Sequence, residues 1–246
     1  MKLFNWQVVL GLILIALSAF VYFIHYLIFR DIHHVFIYLI GDIAFVFIEV
    51  LLVTLIIHRV LTIREKRTML EKLNMIIGVF FSEVGTTLLT YLSDCDPELH
   101  KIKKELLVAN DWSDKKFSTV SKNLKSYSYK VDIRKINLEH LRDFLLGKRD
   151  FLVRLLENPN LLEHELFTEF LWSVFHLTEE LNVRKDLKQL PDTDYIHLVG
   201  DIKRAYTLLV REWLNYMKHL KDNYPYLFSL ALRTNPFDEN ASPIVR

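Results

Sequence analysis

Two long apolar segments near the N-terminus constrain this chain most. Residues 8–29 contain no Asp, Glu, Lys or Arg, and residues 35–57 contain only Asp42 and Glu49. A helix over the first segment is about 33 Å long, which matches a bilayer hydrocarbon core of about 30 Å. We therefore predict two transmembrane helices, at about 8–29 and 35–57, within an N-terminal hairpin of residues 1–58.

The first apolar segment also resembles a secretory signal peptide, because Lys2 precedes it. It is longer than the apolar region of a signal peptide and no small-x-small cleavage site follows it, so a retained helix is favoured. Only five residues, Arg30 to His34, connect the two segments. The helices are therefore predicted to be antiparallel, with Asp31 as the N-cap of the second.

Basic residues follow the second segment, whereas the short connection contains a single arginine. The cluster consists of Arg59, Arg64, Lys66 and Arg67. By the positive-inside rule, both termini are predicted to be cytoplasmic, in a multi-pass protein of the plasma membrane. The cluster either signals topology alone or also contacts anionic lipid headgroups.

The two carboxylates in the second segment are the best functional clue. Asp42 and Glu49 are seven residues apart, which places them on one face of a helix, two turns apart. Each costs about 2.5 to 3.5 kcal/mol near the middle of a membrane helix, so partners are expected. The predicted intramembrane polar network consists of Ser18, Tyr22, His25, Tyr38, Asp42 and Glu49.

Two interpretations of this network are open. In the favoured one it holds the hairpin in register or supports self-association, with close helix packing at Gly11 and Gly41. In the alternative, the apolar surroundings make the charge of Asp42 and Glu49 conditional, and the site responds to protons or cations. A metal ion bound by Asp42 with a nearby histidine is less favoured, and no metal site or cofactor is predicted.

The chain beyond the membrane is predicted to be helical almost throughout. Residues 59–92 form a connecting helix, and no proline lies between Val35 and Leu92 to separate it from the second span. Small side chains on one face of this helix predict close packing against another helix, at Gly78, Ser82 and Gly85.

Residues 93–234 are predicted to form a cytoplasmic domain, and residues 235–246 a tail. Apolar residues recur at three- and four-residue steps, and helix starts are predicted near Asp96, Ser113, Asn137 and Asp192. The segment 127–136 is predicted to be a connection. The predicted fold class is all-α, with an N-terminal transmembrane helical hairpin followed by a cytoplasmic antiparallel helical bundle.

No catalytic signature is present in the sequence. There is no P-loop, Gly-x-Gly-x-x-Gly or Gly-x-Ser-x-Gly motif, and six glycines make a phosphate-binding loop improbable. Three His/acid pairs three residues apart are interpreted as solvated helix faces: His140 with Asp143, His176 with Glu179, and Asp194 with His197. The net charge of +1 argues against nucleic-acid binding, and a single cysteine precludes an intramolecular disulfide.

Four segments resemble a family of uncharacterised two-span membrane proteins of bacteria and archaea. They are Asn5 to Gly11, Tyr26 to His34, Gly41 to Phe45 and Thr234 to Phe237. The resemblance implies the two-span architecture and no activity. The sequence thus predicts a non-catalytic, membrane-anchored interaction or signalling module, whose partners are the lipid bilayer and either another protein or a second copy.

Overall fold

A computed structural model describes residues 3–159, 161 and 164–245, apart from the side chains of residues 3–7, 66, 67, 70 and 71. Within that part of the chain all regular secondary structure is helical and there is no strand, which confirms the all-α class. The chain divides into an N-terminal unit, Met1–Lys66, and a C-terminal unit, Arg67–Arg246.

The N-terminal unit contains α1 and the first part of α2, with bounds Leu3–Phe29 and Ile32–Phe80. Arg30, at φ 52°, turns the chain between them. The Asp31 Oδ1 atom accepts hydrogen bonds from the backbone N–H groups of His33, at 2.9 Å, and His34, at 3.2 Å. The predicted cap is therefore confirmed, but the connection is shorter than expected because both histidines belong to α2.

No break in the backbone marks the predicted end of the second span at residue 57. Helix α2 continues to Phe80, a π-helical turn follows at Phe81–Gly85, and α3 comprises Thr86–Ser93. The predicted connecting helix 59–92 is thus helical throughout. It is not a separate element, since its residues from Met69 onward pack into the core of the C-terminal unit.

The C-terminal unit continues with seven further α-helices among the described residues. Their bounds are α4 Lys103–Leu106, α5 Asp114–Ser126, α6 Leu138–Gly147, α7 Arg149–Leu156, α8 Glu165–Val183, α9 Asp192–Asn223 and α10 Pro225–Arg233. Short 3-10 turns occur at Leu99–Lys101 and Ile133–Lys135.

Two predicted helix starts are confirmed by their caps. The Ser113 Oγ atom accepts a hydrogen bond from the Lys116 N–H at 3.3 Å, and the Asn137 Oδ1 atom accepts one from the His140 N–H at 3.0 Å. Each bond satisfies a backbone donor that has no partner within the first turn of a helix. Local side-chain chemistry therefore determines where α5 and α6 begin.

Two other predicted helices are shorter than expected. The Asp96 carboxylate accepts a hydrogen bond from the Glu98 N–H at 2.9 Å, but only a 3-10 turn and the four-residue α4 follow it. The helix starting after Asn137 is divided at Lys148 into α6 and α7. Gly147, a poor helix former, stands at the division.

Aromatic side chains form the centre of the core. The ring of Phe80 meets the rings of Phe167 and Phe170 edge to face, with centroids 5.4 and 5.1 Å apart. All three side chains are fully buried. Such pairs add about 0.5 to 1.5 kcal/mol beyond the area that they bury, so the end of α2 is firmly attached to α8.

The predicted C-terminal tail is partly docked on this core. The Asn235 Nδ2 group donates a hydrogen bond to the Leu106 carbonyl at 3.0 Å, and the ring of Phe237 packs edge to face on Trp213 at 5.0 Å. Both Asn235 and Phe237 are buried. The first residues after α10 therefore belong to the domain.

Candidate functional site

The predicted intramembrane network includes one direct contact between the two helices. The Tyr22 hydroxyl donates a hydrogen bond to the Asp42 Oδ2 atom over 3.4 Å. Since these residues lie twenty positions apart around a short turn, the bond joins facing stripes of α1 and α2. It is long for an O–H···O bond and therefore weak.

Rings surround the turn of the hairpin. The His25 ring lies 4.7 Å from Phe29 and 6.1 Å from His34, and the Tyr38 ring meets His34 edge-on at 4.7 Å. The His25 Nε2 atom is buried and has no hydrogen-bond partner among the described residues. His25 and Tyr38 are thus joined through His34, which the predicted network omits, by ring contacts.

The other two members of the network are not joined in the structure. Ser18 and Glu49 are both exposed, and within the described residues neither has a side-chain hydrogen bond or ion pair. Unlike Asp42, Glu49 therefore has no partner among the described side chains of α1.

The glycines predicted to permit close packing of the hairpin are not needed for the arrangement of α1 and α2. A Cβ atom added at Gly11 or Gly41 would meet no heavy atom within 4 Å. Their packing role remains a prediction for a contact beyond this pair of helices, such as one with a second copy.

The basic cluster after the second apolar segment is exposed where the structure describes it. Arg59 and Arg64 project from α2 and have no ion pair among the described residues. The side chains of Lys66 and Arg67 lie outside the described residues. The predicted contact with lipid headgroups remains a prediction.

The three small residues predicted on the next part of the chain have different surroundings. A Cβ at Gly85 would lie 2.6 Å from both Phe80 Cε1 and Phe81 Cδ1, so only glycine fits there without displacing these rings. A Cβ at Gly78 would make an ordinary contact with Tyr216, at 3.6 Å. Ser82 is exposed. The close neighbours of Gly85 are thus rings of its own helical segment, whereas Gly78 borders α9, and the predicted packing against another helix stays a prediction.

Gly85 is the last residue of the π-helical turn. The Thr86 backbone N–H and hydroxyl both donate hydrogen bonds to the Phe81 carbonyl, five residues earlier. The Phe81 ring stacks on Tyr216 at 4.7 Å. Single π-helical turns within α-helices often occur at functional sites, which directs attention to the adjoining surface.

That surface is an open apolar groove with a volume of about 510 Å³. The end of α2, the π-helical turn, α9 and α10 line it. Exposed apolar side chains at its edge are Met75, Val79, Leu227 and Leu230. Sequence reasoning did not identify this groove, because its walls come from segments more than a hundred residues apart.

Several titratable groups are buried inside the C-terminal unit. The Tyr127 hydroxyl donates a hydrogen bond to the buried Asp96 carboxylate at 3.2 Å, and burial raises the pKa of that carboxyl. Burial also raises the pKa of Glu212 to about 7, against the opposing effects of Arg211 and the Asn215 side chain. Glu212 is fully buried, so its charged form destabilises the folded state.

Histidines and acids from α8 and α9 form one group that could hold a metal ion. We call His176, Glu180, His197 and Asp201 the α8–α9 cluster; ligand atoms of both histidines and Asp201 lie within 4.8 Å of one another. In the sequence-based prediction these histidines are paired with acids three residues away, His176 with Glu179 and His197 with Asp194. The relevant signal is His-x-x-x-acid, which occurs once on each of the two helices.

Comparison with known proteins gives one consistent family. The N-terminal helical domain of MJ1433 matches residues 2–61, and the C-terminal helical domain of the uncharacterized protein MJ1433 matches residues 69–233. The uncharacterized protein MJ1433 of Methanocaldococcus jannaschii is 48% identical over 237 residues, covering 96% of this chain and 95% of that protein. No solved structure matches the chain.

Proposed function

Since the chain belongs to the MJ1433 family and contains both of its helical domains, we propose that it is a membrane-anchored interaction protein. In this proposal the hairpin spans the plasma membrane twice and both termini are cytoplasmic. The C-terminal domain binds another protein surface near the membrane and has no catalytic role.

The apolar surface of the hairpin carries the proposal. Val8–Phe29 and Ile32–Glu65 are long and apolar enough to cross a membrane, and no residue of either segment is buried inside the protein. Large side chains such as Phe47, which is 74% exposed, would face water in a soluble protein. Exposed patches of this extent mark a surface that lipid or another protein covers.

A third segment, Lys72–Ser93, is also long and apolar enough to span, but 44% of it is buried inside the protein. Phe80, Val84 and Leu88 from this segment pack into the core of the C-terminal unit. Inserting the segment into a bilayer would remove it from that core. We therefore propose two spans rather than three.

The single native cysteine makes the proposed topology directly testable. Cys95 is buried, and desolvation raises its pKa to about 11, so the thiol should resist labelling. After Cys95→Ser, a cysteine is introduced either at exposed His33 in the hairpin turn or at exposed Asn240 near the C-terminus. Intact cells are treated with a membrane-impermeant maleimide.

We expect His33→Cys to be labelled in intact cells and Asn240→Cys only after the membrane is opened. The wild-type chain serves as the unlabelled control. Equal labelling of both positions in intact cells, or the opposite pattern, would contradict the orientation. Release of the protein from membranes by alkaline carbonate would contradict the anchor itself.

The apolar groove supports an interaction role for the C-terminal domain. Met75, Val79 and Leu230 are exposed at its edge. Exposed apolar side chains in contact with water are unfavourable, and they are common at protein interaction surfaces. We propose that an apolar surface of a protein occupies it. A second copy of the chain is the occupant that can be tested first, because the experiment requires no other component.

Self-association is measured as the mass of the full chain in detergent, by light scattering during size-exclusion chromatography. Val79→Glu and Leu230→Glu should reduce the dimer fraction by placing charges at the groove. Val183→Glu changes an apolar residue elsewhere, on α8, that is more exposed than either, and it should leave the dimer fraction unchanged. A monomeric wild-type chain would rule out the second copy as occupant and leave the proposal to a different protein.

The hydrogen bond between Tyr22 and Asp42 favours a second candidate function, a response to protons or cations within the hairpin. This bond connects α1 to α2 through the Asp42 carboxylate, whose charge is costly in hydrocarbon. A change in that charge would therefore change the contact between the two helices. Glu49, which has no partner among the described residues, could bind a proton or cation on the same face.

This candidate is tested by measuring thermal stability and oligomer size in detergent across pH. The wild type is compared with a double variant, Asp42→Asn with Glu49→Gln. Loss of a pH response in the double variant supports the responsive site. A response that survives both replacements unchanged contradicts it, and failure to assemble at every pH indicates a structural role for the acids.

A further inference from the structure

The α8–α9 cluster is built from two matching pairs of side chains. On α8, His176 and Glu180 are four residues apart; on α9, so are His197 and Asp201. Residues four apart lie on the same face of a helix, so each pair projects together. The contacts run crosswise, from His176 to Asp201 and from His197 to Glu180, because the two helices are antiparallel.

The distances from both histidines to Asp201 match those between ligands of one ion. The Nε2 atoms of His176 and His197 each lie 3.3 Å from the Asp201 Oδ2 atom. His197 Nε2 lies 3.4 Å from Glu180 Oε2, and His176 Nε2 lies 3.8 Å from Glu180 Oε1. Two ligands about 2.0 to 2.1 Å from a tetrahedral ion are about 3.3 to 3.4 Å apart.

The buried oxygen of Asp201 provides a second, independent indication. The Asp201 side chain is only 4% exposed, yet its Oδ2 atom has no hydrogen-bond partner among the described residues. Both imidazole nitrogens are close to it, but neither contact has hydrogen-bond geometry. An unpartnered buried carboxylate oxygen is costly, and a cation bound between it and the two nitrogens would satisfy it.

Two arginines position the carboxylates from outside the cluster. Arg204 Nη1 lies 3.2 Å from Asp201 Oδ1, and Arg184 Nη1 donates a hydrogen bond to Glu180 Oε2 at 2.7 Å. Asp201 Oδ2 is left for an ion, as in sites whose ligands are oriented by outer hydrogen bonds.

We propose that His176, His197 and Asp201 bind one divalent transition-metal ion, in a site that Glu180 borders. Two imidazoles with carboxylates suit Zn²⁺ and its neighbours, whereas Mg²⁺ and Ca²⁺ prefer oxygen ligands alone. The histidine side chains are 45% and 51% exposed, so an ion can enter from solvent. The bound ion would fasten α8 to α9.

The competing interpretation is a set of surface ion pairs between protonated histidines and the acids. Pairs of this exposure contribute little to stability and require no metal. The two interpretations differ in stoichiometry: a metal site binds one ion per chain, while ion pairs bind none.

The test uses the full-length chain in detergent, without a polyhistidine tag and stripped of metal with a chelator. Zn²⁺ binding is measured by competition with a chromophoric chelator, and Co²⁺ is added separately as a spectroscopic probe. We expect one Zn²⁺ per chain, and visible absorption bands from Co²⁺ that Zn²⁺ abolishes. Zn²⁺ should also raise the Tm of the wild-type chain.

Each of His176→Ala and His197→Ala should weaken Zn²⁺ binding by at least about 10- to 100-fold, the loss typical of disturbing even the outer hydrogen bonds of a site. Both residues are half-exposed, so the variants should fold. His100→Ala removes an exposed histidine whose side chain has no hydrogen bond, ion pair or ring contact among the described residues, and it should bind as the wild type does.

A wild-type chain that binds neither Zn²⁺ nor Co²⁺ would overturn the proposal without any variant. So would one ion per chain retained undiminished in both histidine variants, since the ion would then lie elsewhere. Binding lost equally in His100→Ala would indicate nonspecific coordination by surface histidines, which also contradicts the proposal.

Discussion

The two units of this chain use apolar helices in opposite ways. In the N-terminal unit no residue of the apolar segments Val8–Phe29 and Ile32–Glu65 is buried inside the protein. In the C-terminal unit nearly half of the apolar segment Lys72–Ser93 is buried. Helix α2 contributes to both, so the difference is not one of secondary structure. The difference lies in what covers the apolar side chains: protein in the C-terminal unit and, in our proposal, lipid in the N-terminal unit.

The contrast appears in two phenylalanines of the same helix. Phe47 is 74% exposed, and Phe80 is fully buried against Phe167 and Phe170. Burial against protein depends on the shape of the partner, while lipid chains adapt to whatever they cover. Substitutions in the two units should therefore differ greatly in their effects on stability.

Phe80→Ala should have the largest effect, a loss of about 3 to 5 kcal/mol in the free energy of unfolding, because it leaves a cavity in the core. Its neighbour Val79 is 52% exposed, and Val79→Ala should change stability by less than about 0.5 kcal/mol. Urea unfolding in detergent, followed by tryptophan fluorescence of the domain, measures both. A comparable loss for Phe47→Ala would contradict a lipid-covered hairpin.

Glu212→Gln should stabilise the domain at high pH. The folded pKa of about 7 lies above the usual value of 4.5, so the folded state binds more protons than the unfolded state between these values. Stability contributed by the neutral form is complete below about pH 4.5 and is lost as pH rises through 7. The loss is about 3 kcal/mol above pH 7.

Unfolding of wild type and Glu212→Gln at pH 5 and pH 8 measures this difference. The substitution should help most at pH 8 and little at pH 5. Glu169→Gln, on the exposed surface of α8, controls for general effects of removing an acid. An equal gain at both pH values would show that titration of Glu212 is not the cause.

Gly85→Ala should destabilise the domain by about 1 to 3 kcal/mol, because its Cβ atom would overlap Phe80 and Phe81. Gly200→Ala on α9, where a Cβ meets no neighbour, should instead add about 0.5 to 1 kcal/mol. Calorimetric Tm values distinguish the two. Destabilisation by Gly41→Ala in the hairpin would reveal packing against a second copy.

Tyr22→Phe should have a small effect, about 0.6 kcal/mol, the average for hydrogen bonds between membrane helices. Its bond to Asp42 is long, and Tyr38→Phe is the matched control without such a bond among the described residues. Unfolding by SDS is followed by energy transfer between dyes on cysteines at positions 8 and 57, in a Cys95→Ser background. A loss of several kcal/mol would show that the helices depend on this bond.

Local chemistry made much of the fold predictable. Ser113 and Asn137 satisfy backbone donors of the residues just after them, and Asp31 does the same at the hairpin turn. The facing of Tyr22 and Asp42 also follows from helix periodicity and a short connection. The caps depend on neighbours within a few residues, and the facing of the two helices depends on the number of helical turns from the connection.

Other features could not be predicted, because they depend on contacts between distant segments that helix periodicity does not specify. The docking of Phe237 on Trp213 depends on where α10 directs the chain, and the groove needs α2 and α10 together. The α8–α9 cluster was missed because spacing on each helix was judged alone. Its members meet only through the register of one helix against the other.

The sequence alone determined the apolar segments, the acids within them, the helix starts and the all-α class, since composition and short-range hydrogen bonds specify these. Tertiary structure decided which apolar segment enters a protein core and which pairs of polar side chains face each other. The physical reason is that close packing selects one register between helices. That register brings His176, His197 and Asp201 within one ion's reach.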